Sequence, residues 1–162
     1  MTEKLLEQKL ANMKPEDIVD PEMYVAVPAL QALSCAIDSE ELRELYANLL
    51  AKAMNTKDNV HPGLVETIKQ MSPYDAAYFK LLTSIDNCLL VDIRGVKPNT
   101  NYNILQENRN LFSDGYDYQY MNLSISNLTR LGLINIPQGI YPAGKINEEL
   151  YDKLIEQLKK RI

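Results

Sequence analysis

The sequence contains a single histidine, His61, and few other residues suited to chemistry. A general base or a metal ligand needs partners, and no His, Cys or Glu stands at ligand spacing from His61. Its setting, His61-Pro62-Gly63, instead reads as the start of a helix, with the imidazole fixed by Pro62 and packed against a neighbouring helix. Glu40, Glu41 and Glu44 share one helix. Paired carboxylates do acid–base work only where burial splits their pKa values. Glu41 has a capping role and Arg43 lies beside the group, so a solvated helix face is expected. Cys35 and Cys88 are far apart, outside any C-x-x-C pair and flanked by apolar residues. Both are expected as small buried hydrophobes in a reducing compartment, neither disulfide-bonded nor reactive. The sequence has no Gly-rich phosphate loop, no G-x-S-x-G and no H-E-x-x-H. No catalytic, cofactor-binding or metal-ligating residue is assigned, and the chain is expected not to be an enzyme.

Binding chemistry is the other possibility. There are 10 tyrosines and no tryptophan. Tyr116, Tyr118 and Tyr120 alternate in a loop or strand. Aromatic side chains interleaved with cations stack nucleic-acid bases. Here the neighbours are Asp114, Asp117 and Gln119, so half-buried tyrosines or a protein contact are expected instead. Residues 124–131 would be the recognition helix of a winged helix, offering Ser126, Asn127, Thr129 and Arg130 to base edges. Only one of these is cationic, and the wing Asn135-Ile136-Pro137-Gln138-Gly139 carries no cation. A face gathering Lys80, Arg94, Lys97, Arg109 and Arg130 would favour nucleic acid.

The positioning elements follow from apolar spacing. Leu5, Leu6, Leu10 and Met13 predict a first helix over residues 3–13, stopped by Lys14-Pro15. Asp20 is the expected cap of a second, with Pro21 in its first turn and the stripe Met23, Ala26, Val27, Leu30, Leu33, Ile37. Pro28 either kinks this helix or marks its start. Asp38 and Glu41 are set to cap a third, carrying Leu42, Leu45, Tyr46, Leu49, Leu50 and Ala53. A fourth follows His61, with Leu64, Val65, Ile68 and Met71 on one face. Ser72-Pro73-Tyr74-Asp75 then starts a fifth.

Beyond Asp86 the pattern changes. Residues 88–93 predict a strand ended by Gly95 and Pro98. Ile104, Leu105, Asn108, Leu111 and Phe112 predict a short helix. Ser124 is the expected cap of a helix that Gly132 stops. Leu133–Ile136 and Ile140-Tyr141 read as two strands of a wing, and Asn147 as the cap of a last helix. The fold expected is mainly α with a small β component. An all-helical part over 1–71 precedes a winged-helix-like part over 72–162, as separate lobes or as one compact unit.

Net charge is −5, and residues 1–60 carry all of it, with 6 basic against 11 acidic residues. An acidic first half repels phosphate backbones and suits a protein partner or plain solvent. The longest apolar runs fall short of the roughly 18 residues that a bilayer crossing needs, so no membrane span is expected. No signal peptide is visible.

Three segments resemble a known family: 38–51 (DSEELRELYANLLA), 60–76 (VHPGLVETIKQMSPYDA) and 123–134 (LSISNLTRLGLI). Together they are similar to the abortive infection alpha (Abi-alpha) domain, with residues from about 20 to 136 inside the resemblance. The segment around His61-Pro62 and Ser72-Pro73 is its most specific part. The resemblance implies a bacterial or phage origin, a cytoplasmic setting and a role in defence against phage. It brings no catalytic residues with it. The resulting expectation is a non-enzymatic protein-interaction module without cofactors. Its partner would be a protein, including a second copy pairing through the first amphipathic helix. The alternative is a winged-helix regulator that binds nucleic acid.

Overall fold

A computed structural model describes residues 2–85, 88, 90–95, 103–109, 118–137 and 145–159. These hold seven α-helices, one 3-10 turn and one two-stranded hairpin. The chain divides into two compact units, Met1–Ala77 and Tyr78–Ile162.

The first unit is built around α3 (Glu40–Ala53), against which α1 (Thr2–Leu10), α2 (Met23–Cys35) and α4 (Gly63–Lys69) all pack. Its Leu42, Tyr46, Ala47, Leu49, Leu50 and Ala51 are buried. From α2 come Val25, Ala26, Ala29 and Leu33, and from α4 Val65 and Ile68. The buried set is rich in alanine, which lets helix backbones approach closely while side chains interlock. A 3-10 turn, Pro15–Asp17, links α1 to α2. It is strapped to the end of α3 by Val19 N–H to Met54 C=O (2.9 Å), Thr56 N–H to Asp17 C=O (2.9 Å) and a Lys57–Asp17 ion pair (2.5 Å).

The helix starts show where local signals act. The cap of α3 is Ser39, whose Oγ accepts from Leu42 N–H at 3.2 Å; the expected cap, Asp38, lies one residue too early. Asp20 does not cap α2 either, because that helix begins at Met23 after Glu22, with no side-chain cap. The helix runs on through Pro28. Helix α5 (Pro73–Thr83) opens as its sequence predicts. Ser72 N–H donates to Asp75 Oδ2 at 2.7 Å and Asp75 N–H donates to Ser72 Oγ at 3.1 Å, a reciprocal capping box. Asp75 is buried. Replacing it by alanine strips the Ser72 N–H of its acceptor. Asp75→Ala should cost about 1–2 kcal/mol, read as a lower denaturant midpoint at unchanged slope.

The second unit contains the hairpin β1 (Val91–Gly95) and β2 (Asn103–Arg109), antiparallel with Val91 opposite Arg109 and Gly95 opposite Asn103. The helix expected over 104–112 is therefore a strand through Arg109, and residues 110–112 lie outside the described residues. Ile104 and Leu105 satisfy either period, and pairing with β1 decides between them. Helix α6 (Tyr118–Arg130) packs on β2 and buries Met121, Ser124, Ile125 and Leu128. Ser124 thus sits inside α6 and does not cap it.

The far end of α6 is as expected. Gly132 adopts φ +71°, Gly132 N–H donates to Thr129 C=O (3.0 Å) and Leu133 N–H to Leu128 C=O (3.0 Å), a Schellman close. An alanine there meets no neighbouring atom but must hold a positive φ, so Gly132→Ala should cost about 1 kcal/mol in thermal unfolding. Residues 133–137 form no strand, and Ile140-Tyr141 lies outside the described residues. The hairpin seen here precedes α6, where the expected wing would follow it. The last helix, α7 (Lys145–Lys159), begins before Asn147, which is therefore not its cap.

Candidate protein-docking surface

No described group of three His, Cys, Asp or Glu side chains gathers as a metal site. His61 is exposed and caps α4: its Nδ1 accepts from Gly63 N–H at 3.0 Å. The expectation was a side chain packed against a neighbouring helix; the imidazole is exposed and folds over its own turn. A Cβ on Gly63 would stand 2.9 Å from Nδ1, so glycine is what permits this fold-back. Glu41 Oε2 accepts from Ser39 Oγ at 3.4 Å, and Glu44 lies 3.9 Å from Lys9 Nζ. Glu40 is exposed, and Arg43 donates to Ile37 C=O. The three glutamates serve the α3 start and surface.

Ser126, Thr129 and Arg130 of α6 each hydrogen-bond within their own helix. Ser126 Oγ donates to Asn122 C=O (3.0 Å), Thr129 Oγ1 to Ile125 C=O (2.8 Å), and Arg130 Nη2 to Asn127 Oδ1 (2.8 Å). Tyr118 and Tyr120 lie in the first turn of α6 and not on a strand; Tyr116 lies outside the described residues.

Cysteine placement also differs from expectation. Cys35, the last residue of α2, is exposed, and Cys88 is half-buried. Both thiols are free. Burial pushes the Cys88 thiol up, and a hydrogen bond with Tyr78 partly opposes it. Burial, then the charge of Glu66, then Cys35 push the Tyr46 phenol up to about 12. The sign follows from linkage. Between about pH 10 and 12 the unfolded chain's phenol ionises while the folded one keeps its proton, so stability falls as pH rises. That contribution is present in full below pH 10 and amounts to on the order of 2 kcal/mol. In urea titrations from pH 9 to pH 12, Tyr46→Phe should lose correspondingly less stability than the parent chain.

The feature no sequence pattern isolated is the outer face of α2. This helix, MYVAVPALQALSC, has no charged residue. One side is buried against α3 and α4. On the other, Met23, Val27 and Leu30 recur at i, i+4 and i+7, with Tyr24 beside them. Met23 is 71% exposed and Leu30 54%. Val19 before the helix and Ile37 after it are exposed as well. An apolar stripe of this length left in water marks an interaction surface more often than chance, whereas single exposed apolar residues do not. At its N-terminal end lies a polar cleft of about 240 Å³ lined by Val19, Tyr24 and Val60 together with the carboxylates of Asp20, Glu22 and Asp58. No Lys or Arg lines it. The surface is thus greasy along its length and acidic at one end. By contrast α1, the helix expected to pair with a second copy, already packs on α3.

The family description "abortive infection alpha" matches residues 1–162. The chain belongs to the abortive infection alpha family. The match extends beyond residues 20–136, to which the recognisable segments were confined. No curated protein and no solved structure matches the chain. Within the abortive infection alpha fold described here, no helix among the described residues is long and apolar enough to cross a membrane.

Proposed function

We propose that this abortive infection alpha chain is a non-enzymatic interaction module of phage defence, which docks a protein partner on the outer face of α2. The observation that carries this reading is the uncharged helix with Met23, Val27 and Leu30 turned to solvent. The family membership supports the defence setting. The acidic cleft gives the partner its chemistry: a segment apolar on one face, with lysine or arginine at the end that meets Asp20, Glu22 and Asp58. Such a segment would lay its apolar face along the outer face of α2, as amphipathic helices do on apolar surfaces elsewhere.

The test is phage plating on a bacterial host that expresses the chain. The parent chain should lower plaque number. Reversing the charge of the rim, Asp20→Lys with Glu22→Lys, slows encounter with a basic partner and should weaken protection by about tenfold. Gel shifts with DNA and RNA provide the opposing arm. A tight complex with a steep salt slope would overturn the protein-docking reading in favour of nucleic acid.

A further inference from the structure

A second feature of the first unit is independent of the α2 outer face and of the docking role given to it. Helices α2, α3 and α4 leave an open cleft of about 340 Å³, walled by Ala32, Cys35, Leu42, Ile68 and Met71, with Tyr46 in its lining. That volume falls in the range of small-molecule sites, which are mostly apolar with a few placed polar groups. Tyr46 is the group that matters. It is 2% exposed, yet its hydroxyl makes no hydrogen bond to any described residue. Buried phenols normally find a partner, so an unanswered one asks for an explanation. Tyr46 itself lines the cleft. The hydroxyl interacts electrostatically with Cys35, which lines the cleft, and with Glu66. The one cation in the lining, Lys69, donates to Glu66 Oε1 at 2.7 Å.

We infer that the cleft between α2, α3 and α4 binds a small neutral molecule with an apolar body and one carbonyl oxygen, which accepts the hydrogen bond that Tyr46 Oη has to give. The neutral class follows from the charges. A carboxylate would approach Glu66 with Lys69 already paired, and an ammonium group cannot accept from a phenol. The exposed Cys35 thiol at the cleft provides a reporter.

Three probes of one shape test this on the full chain: acetophenone (a ketone), benzoate (an anion) and cumene (no acceptor). Methyl resonances of Leu42, Ile68 and Met71 report binding. Acetophenone should give saturable shifts, with benzoate about tenfold weaker and cumene weaker than the ketone. Tyr46→Phe should lower acetophenone affinity about fivefold to tenfold, the effect of one lost hydrogen bond, and leave cumene unchanged. In a Cys88→Ser background, acetophenone should slow alkylation of Cys35 by iodoacetamide. The inference is overturned if no probe saturates, if benzoate or cumene binds as well as acetophenone, or if Tyr46→Phe leaves the ketone's affinity unchanged. The probe ranking uses the unaltered chain, so it decides the matter even if the phenylalanine variant folds poorly.

Discussion

Replacing Val27 and Leu30 together by glutamate should leave the fold intact and abolish protection against phage. Both side chains face solvent on α2, so neither carboxylate would be buried. Surface changes of this kind usually stay within about 0.5 kcal/mol of the parent, and glutamate is a better helix former than valine. The docking surface is another matter. A partner's apolar face would have to desolvate two new charges at the centre of the stripe, where hot-spot side chains carry about 2 kcal/mol or more each. Docking should weaken on the order of a hundredfold or more, and plaque counts should return to those of a host lacking the chain. Circular dichroism and the thermal midpoint check the fold, and plating checks the function. A variant that folds normally and still protects fully is inconsistent with docking at this face.

The neighbouring position gives the opposite outcome. Ala29 is 0% exposed on the inner face of the same helix, one residue from Leu30. Ala29→Glu would force a long side chain and a carboxylate into the contact of α2 with α3 and α4, on the same face as buried Val25 and Leu33. Overpacking costs about 1–3 kcal/mol and an unpaired buried charge adds several more. Against a typical margin of roughly 5–15 kcal/mol, the chain should be largely unfolded or insoluble at 37 °C. The same amino acid is thus tolerated at position 30 and ruinous at position 29. The urea midpoints of the two single variants, Ala29→Glu and Leu30→Glu, measure that contrast directly.

This contrast also shows where sequence reasoning stops. Met23, Val27 and Leu30 share one apolar stripe with Ala26, Leu33 and Ile37 in the sequence, and periodicity says only that a face is sticky. α2 is apolar on both faces, and which one meets α3 depends on the placement of α3 and α4. For the same reason Cys35, flanked by apolar residues, was expected inside and is exposed at the helix end. Local signals did better where both partners lie within a few residues. Ser72 with Asp75 and the Gly132 close are local hydrogen-bond circuits, and the sequence specifies them in full. Ser124 and Asn147 offer capping oxygens but lie within helices that begin earlier, because an oxygen of that kind permits a helix start without compelling one.

The hairpin marks the other limit. Asn-Ile-Leu-Gln-Glu-Asn-Arg, residues 103–109, holds good helix formers, and its strand state depends on pairing with Val91–Gly95, from Gly95 opposite Asn103 to Val91 opposite Arg109. His61, expected to pack against a neighbouring helix, instead turns its Nδ1 to the Gly63 N–H of its own turn, a contact that its spacing in the sequence permits without announcing. Tyr46 was legible only as a member of an apolar stripe. That it is buried, lines a cleft and has no hydrogen-bond partner among the described residues follows from three helices meeting, which no local pattern encodes.

The proposed role stands or falls with a partner seated on the outer face of α2. A photo-crosslinking amino acid placed at position 27, in cells challenged with phage, tests it most directly. Position 48 on α3, also exposed, serves as the control. Docking there should give one discrete protein adduct from position 27 and none from position 48, with the adduct lost when Leu30→Glu is added. Adducts equally strong from both positions, or an adduct from position 27 that Leu30→Glu leaves unchanged, would contradict it.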